Sequence, residues 1–266
     1  MSPSRQRKTP QRKRNVKKVG SYVQSLDKGL RVLEAFRQSD PSLNIAQAAA
    51  IAGLDRAGAR RILLTLQNLG YLKLEGRNFS MTPRVLALSQ HYLECLPFWQ
   101  LAQSVMEELS ASLDETVSIG VLDQSDIVYV LRVPARRIIT YNPNIGARIP
   151  AHLSSIGHVL LSCLSNEELY QYIQGIQLHA YTPHTIQSRA KLRRQILETQ
   201  ESGWSFVRQQ YESSACGIAV AITDSTGRAV AGLNVSQVAT EMAEKTAVER
   251  LLPRLRIAAE KLSGLR

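Results

Sequence analysis

The chain is poor in cysteine, carries no long apolar run and has no acidic side chain among its first twenty residues. Each scarcity excludes something. The three cysteines of the 266 residues, Cys95, Cys163 and Cys216, lie far apart, with no Cys-x-x-Cys and no even set to cross-link. That argues against a disulfide-stapled scaffold and for a reducing, cytoplasmic setting in which thiols mostly pack. No apolar stretch approaches the roughly 18 residues that span a bilayer, so no membrane segment is expected. The basic N-terminus lacks the apolar stretch of a secretory signal. None of the five histidines stands at His-x-x-x-His or Glu-x-x-His spacing, so no metal face is expected. Walker-type phosphate loops are missing as well. Cys216, beside Gly217, has no base or oxyanion donor that the sequence assigns to it, and buried packing is the default reading. Nothing calls for a cofactor, and catalysis is not expected.

What is present is charge, and it is unevenly spread. The formal net charge is +11. Residues 1–20 contribute eight Lys/Arg, residues 21–82 eight against five acids, and residues 83–266 seventeen of each. A basic front and a balanced back suggest a polyanion-binding module joined to something with another task. The tail "MSPSRQRKTPQRKRNVKKVG" cannot bury apolar surface and is expected to be disordered, either as a phosphate-tracking arm or as a solubilising sequence.

Beyond the tail, "SLDKGLRVLEAFRQ" repeats Leu26, Leu30, Leu33 and Phe36 at helical spacing, with Ser25 placed to cap. "NIAQAAAIAGL" predicts a short helix capped by Asn44 and closed by Gly53. Asp55 then caps a third helix to about Asn68, with Ala59, Ile62, Leu63, Leu66 and Leu69 as its apolar stripe. Arg56, Ala57, Arg60 and Arg61 lie off that stripe. Two helices joined through Gly53-Leu54-Asp55 match a helix-turn-helix, whose second helix enters the major groove. "YLKLE" and "NFSMT" around Glu75–Asn78 read as a two-stranded wing with Arg77 at its tip. The recognition helix reaches base edges while the wing contacts the backbone of double-stranded DNA.

From Pro83, "PRVLALSQHYLECL" predicts a helix with Val85, Leu86, Leu88 and Leu93 available to pack. "LAQSVMEELSASL" is a second. The β-rich runs "VSIGVL", "DIVYVLRV", "GIAVAIT" and "AVAGLNVS" alternate with helices expected at 154–164, 166–174, 188–202 and 241–263. This is an α+β pattern. "AHLSSIGHVLL" starts a helix after Pro150. From spacing alone, Ser154 and Ser155 either cap it or present hydroxyls and free N–H groups to a carboxylate.

"YVQSLDKGLRVLEAF", "GLDRAGARRILLTLQNLGYL" and "FSMTPRVLALSQHYL" resemble the DNA-binding domain of IclR-type bacterial transcription regulators. "DIVYVLRVPARRIITYNPNIGARIPAHLSSIGHVLLSCL" and "GIAVAITDSTGRAVAGLNVS" resemble that family's effector domain. The opening "QS…GL.VLEAF", the Arg-Arg pair after Ala135 and the "GxRxPAxxxSxGxVLL" run are similar to one subgroup, the PcaR, PcaU and PobR type regulators of aromatic-acid catabolism. The resemblance covers about Tyr22 to the C-terminus. It implies a winged helix-turn-helix over 21–82, a linker helix over 83–98 and a GAF-like α+β effector-binding domain over 99–266. It also implies a homodimer or a tetramer, and an activator more than a repressor. Carried residue by residue, it implies an effector cavity lined by Ile138, Tyr141, Ile149, Ser155, Ile156, Val207, Gly217, Asn234 and Ser236.

The effector expected is a small aromatic or related carboxylic acid, and Arg137, just before Ile138, is a candidate to grip its carboxylate. The chain departs from the family at Val207-Arg208, where an acidic residue is common, and at "SACG", where "GLRS" or "GLRC" is usual. The other readings are a repressor with a non-aromatic carboxylate ligand, an enzyme using the α+β domain, and a sequence-neutral DNA-packaging protein.

Overall fold

The computed structural model describes residues 22–37, 39–135, 143–239 and 243–265. The chain divides into two compact units, cut between Gln90 and His91.

In the first unit, helix α1 (Gln24–Glu34) begins at Val23 as N-cap, with no side-chain cap, so Ser25 lies inside the helix and does not close it. The face that α1 buries also differs from the expected stripe. Val32 and Ala35 are buried, Leu33 and Phe36 pack at the core's edge, and Leu26 and Leu30 are exposed. Helix α2 (Ile45–Ala52) has a capping box: the Gln47 N–H donates to Asn44 Oδ1 at 3.0 Å, and the Asn44 N–H to Gln47 Oε1 at 2.9 Å. Gly53, at φ +66°, ends it in the left-handed region that disfavours a side chain. Asp55 then caps helix α3 (Arg56–Asn68) through the Gly58 N–H at 2.7 Å.

The wing is strands β2 (Leu72–Glu75) and β3 (Asn78–Met81), joined by a tight turn with Gly76 at φ +63°. A third strand, β1 (Ser42–Leu43), pairs with β3, so the expected two-stranded wing is a three-stranded sheet in the order β1-β3-β2. Leu43 sits opposite Phe79, and both are buried, which ties the wing to the helices.

The second unit is built on one antiparallel sheet of six strands in the order β6-β5-β4-β9-β8-β7. These are β4 (Thr116–Asp123), β5 (Asp126–Val133), β6 (Arg148–Pro150), β7 (Trp204–Arg208), β8 (Ala215–Thr223) and β9 (Ala229–Val238). Alternation divides the core. Ile218, Val220 and Ile222 of β8 face helices α5 (Trp99–Leu113), α9 (Glu244–Arg250) and α10 (Leu252–Leu262). Ala219 and Ala221 of the same strand face helices α6 (Ser155–Ser162), α7 (Asn166–Gly175) and α8 (Arg189–Ser202). The single helix expected over 241–263 is two, α9 and α10, because Pro253 lacks the N–H that a continuous helix needs at that place. Helix α4 (Val85–Glu94) buries no residue: Leu86 and Leu88 are 64% and 57% exposed, whereas Leu93 packs on the second unit's core. Among the described residues, no helix is long and apolar enough to cross a membrane.

Candidate DNA-binding and effector sites

Helix α3 presents its two faces unequally. Ala59, Leu63 and Leu66 are buried, Ile62 is half-buried, and Leu69, expected to complete the stripe, is the C-cap residue and exposed. Arg56, Ala57, Arg60 and Arg61 stand exposed in the first half of the helix, and Arg77 is exposed at the turn of the wing. Asp55 holds its carboxyl below the usual carboxylate range, chiefly through the Gly58 N–H and further through Arg61. The acid therefore stays charged as a cap and answers the positive end of the helix dipole.

The second unit contains a cleft over the β7–β8–β9 side of the sheet, at the start of α6. Ile149, Ser155, Val207, Gly217, Asn234 and Ser236 all line it. Register explains why distant residues meet here: Val207 lies opposite Gly217, and Gly217 opposite Ser236, so the three share one face. Gly217 is needed for the approach of its neighbours. A Cβ there would lie 2.8 Å from Asn234 Nδ2 and 3.3 Å from Ser155 Oγ. The two candidate serines divide the work. Ser154 Oγ accepts from the Gly157 N–H at 3.0 Å and caps α6. Ser155 Oγ turns to the cleft, where Asn234 Nδ2 is 3.5 Å away, and the same amide donates to Ser236 Oγ at 3.0 Å. Ile156 does not line the cleft; one residue further round the helix, its side chain packs against Gly120 and Gly232. Arg136, Arg137, Ile138 and Tyr141 lie outside the described residues.

Several lining groups escape sequence reasoning, above all Tyr129, Arg132, Gln210 and Gln237. Tyr129 and Arg132 are three apart, which places them on opposite faces of a regular strand. A bulge intervenes: Arg132 pairs with Ser118 and Tyr129 with Gly120, so both fall on the cleft's face. Arg132 Nη1 lies 3.4 Å from Ser118 Oγ. Burial pushes the Tyr129 phenol up to about 12, so it stays a protonated hydroxyl at neutral pH. Asn234, Gln210 and Gln237 are each at least nine-tenths buried, and each has a carbonyl oxygen with no hydrogen-bond partner among the described residues. Buried polar atoms in that condition are uncommon, and an occupant of the cleft is one way to satisfy them.

The cleft's empty space is about 570 Å³, counting the part open to solvent. Among the described residues no group of three or more His, Cys, Asp or Glu is placed to hold a metal ion. His158 is fully buried with Nε2 3.0 Å from the His152 carbonyl oxygen, and burial lowers its pKa. It packs as a neutral ring.

A winged helix with an exposed basic face, followed by an α+β unit with a polar-floored cleft, defines a ligand-responsive DNA-binding regulator. The chain belongs to the IclR family of bacterial transcriptional regulators. The IclR helix-turn-helix domain matches residues 25–76, and the bacterial transcriptional regulator IclR C-terminal domain matches residues 90–264. A p-hydroxybenzoate hydroxylase transcriptional activator of Acinetobacter baylyi is 34% identical over 249 residues, covering 92% of each chain. The crystal structure of a transcriptional regulator from Rhodococcus sp. RHA1 superposes with a TM-score of 0.80 at 37% identity, over 91% of this chain and 97% of that one. The inducer-binding domain of an Acinetobacter PobR double mutant, in complex with 3-hydroxybenzoic acid, is 29% identical with a TM-score of 0.58. It covers 61% of this chain and 95% of that domain.

Proposed function

We propose that this regulator activates genes for the breakdown of an aromatic compound, and that a small aromatic carboxylic acid bound in the cleft controls it. One observation carries the reading: the start of α6, with the Ser155 hydroxyl, converges with the Arg132 guanidinium and the apolar Ile149 and Val207 in one cleft. A helix start and a guanidinium both favour an anion, and apolar walls favour a ring. Activation and aromatic-acid chemistry are what the names of the Acinetobacter relatives say of those proteins. The protein would act in the cytoplasm as a homodimer or tetramer on a pseudopalindromic operator. The exposed Leu86 and Leu88 of α4 supply apolar surface suited to subunit pairing. Effector binding would bias one arrangement of the two units over another. In this reading the tail over 1–20, the DNA-binding domain over 21–82, the linker over 83–98 and the effector domain over 99–266 have separate tasks.

The carboxylate needs a partner, because an unpaired buried charge is very costly. Calorimetry with 4-hydroxybenzoate on Ser155→Ala and Arg137→Ala is expected to show at least about tenfold weaker binding, as removal of one charge-assisted hydrogen bond implies. Arg136→Ala is expected to bind like the parent, since Arg137 is the arginine assigned to the carboxylate. Operator binding and a thermal unfolding transition like the parent's serve together as the folding control. If all three variants bind like the parent, neither Ser155 nor Arg137 anchors the carboxylate.

The tail is assigned to phosphate binding. Deleting residues 2–20 is expected to weaken binding to operator and random DNA alike. The slope of log K against log salt should become shallower by about 0.9 for each phosphate that the shortened chain no longer neutralises. An unchanged slope would leave the tail as a solubilising sequence.

A further inference from the structure

The cleft has a wall that the carboxylate anchor does not use. It is the segment from Gln209 to Glu212, which follows β7, and a second segment holds it from behind. The Thr185 hydroxyl donates to the Gln210 carbonyl oxygen at 2.6 Å and accepts from the Thr182 N–H at 2.9 Å and the Tyr181 N–H at 3.1 Å. One proton and two lone pairs are thereby used up. The Thr182 hydroxyl donates to the Gln209 carbonyl oxygen and accepts from the His184 N–H at 3.1 Å. The Tyr181 and Tyr211 rings meet with centroids 5.1 Å apart. Gln209 is in the left-handed region at φ +58°, which non-glycine residues seldom adopt. Its N–H donates to the Ala215 carbonyl at 2.8 Å, and its side-chain amide to the Ser213 carbonyl at 2.7 Å. A backbone so fully tied sets where the next side chain goes. That side chain is Gln210, which is 6% exposed, lines the cleft and has a buried carbonyl oxygen without a partner among the described residues.

We propose that Gln210 is a specificity-determining residue of the cleft, accepting a hydrogen bond from a hydroxyl group on the effector, and that Thr182 and Thr185 are its positioning residues. The inference rests on the reading of the cleft as the effector site, and deepens it. An acid with only a carboxylate leaves the Gln210 oxygen unsatisfied; a hydroxylated acid satisfies it. A site with a buried group of this kind rejects the ligand that lacks the matching hydroxyl, because the protein atom is then left bare. The clasp supports the rejection by holding the Gln210 main chain through the Thr185 bond to its carbonyl oxygen, so that the side chain starts from the cleft wall.

The test is calorimetry of the full chain with benzoate, 3-hydroxybenzoate and 4-hydroxybenzoate. The parent is expected to prefer at least one hydroxybenzoate over benzoate by about tenfold or more. Gln210→Leu and Gln210→Met should reduce that preference to within about threefold, mainly by weakening the hydroxybenzoate. Thr185→Val should lower the preference in the same direction while benzoate affinity stays within about threefold of the parent. A thermal unfolding transition like the parent's reports that the second unit of each variant is folded. The proposal is overturned if the folded Gln210 variants keep the parent's preference, or if benzoate and hydroxybenzoate weaken equally. Binding of none of the three acids by the parent would sink the aromatic-acid reading, and this inference with it. A Thr185→Val variant that binds like the parent, beside Gln210 variants that lose the preference, removes the positioning role alone.

Discussion

Replacing Gly157 by alanine is expected to destabilise the second unit by about 3 kcal/mol or more, at the upper end of what overpacking costs. Gly157 is in the first turn of α6, and a Cβ there would lie 1.9 Å from the Ala151 carbonyl oxygen and 2.4 Å from its carbon. Those atoms belong to the main chain of the short 3-10 turn Ala151–Leu153, whose three residues are all buried. A flexible side chain could move aside; this backbone cannot without shifting Ser154, whose hydroxyl caps α6 through the Gly157 N–H. The added methyl thus strikes the cap, the helix start and the serine-lined edge of the cleft together. Chemical denaturation measures the loss, and effector binding should fall with it. Gly175, at the end of α7, has nothing within 4 Å of the same added atom. There alanine is expected to be neutral or stabilising by up to about 1 kcal/mol, from helix propensity. A Gly157→Ala protein with the parent's unfolding midpoint would show that the turn and helix do not pack as described.

The second large effect falls on DNA. Arg60 is exposed in the N-terminal half of α3, away from the buried Ala59, Leu63 and Leu66, where a guanidinium can reach a guanine edge. Arg60→Ala is expected to cost about 1–3 kcal/mol on the cognate operator, roughly five- to 150-fold in affinity, and to relax selectivity at the contacted base pair. The exposed Arg61 is expected to touch phosphate instead. Its removal should weaken all sequences alike and reduce the salt slope by about 0.9, the share of one phosphate. Competition binding against a panel of operator variants separates the two outcomes. A uniform loss for Arg60→Ala would move that residue to the phosphate class.

The particular residues show how much local chemistry decides by itself. Asn44, Gly53 and Asp55 mark helix ends through their own side chains or their lack of one, and each acts where the sequence places it. Helix α3 and the wing follow from patterns contained in fewer than thirty residues, and the uneven charge follows from composition alone. The helix-turn-helix plus α+β architecture is therefore readable without any tertiary contact. The serine helix was readable as a candidate anion site, though not which serine caps it.

Tertiary structure decided the rest, for reasons that are geometrical. Strands β1 and β6, of two and three residues, are too short to show a period and exist because β3 and β5 offer them edges. Leu26 and Leu30 repeat at helical spacing as well as any core residue, yet only the position of α2 and α3 determines that Val32 and Ala35 are covered instead. The β5 bulge reverses the parity of the strand between Tyr129 and Arg132, and no alternation in the sequence announces it. Gln210 lines the cleft on a segment whose Gln209 and Gln210 carbonyl oxygens accept from Thr182 and Thr185, more than twenty residues away in the chain. Period and capping are properties of neighbours along the chain, and the sequence alone determined what depends on them. Which face is buried, and which side chains converge on one cleft, depends on contacts between segments that only the folded chain brings together.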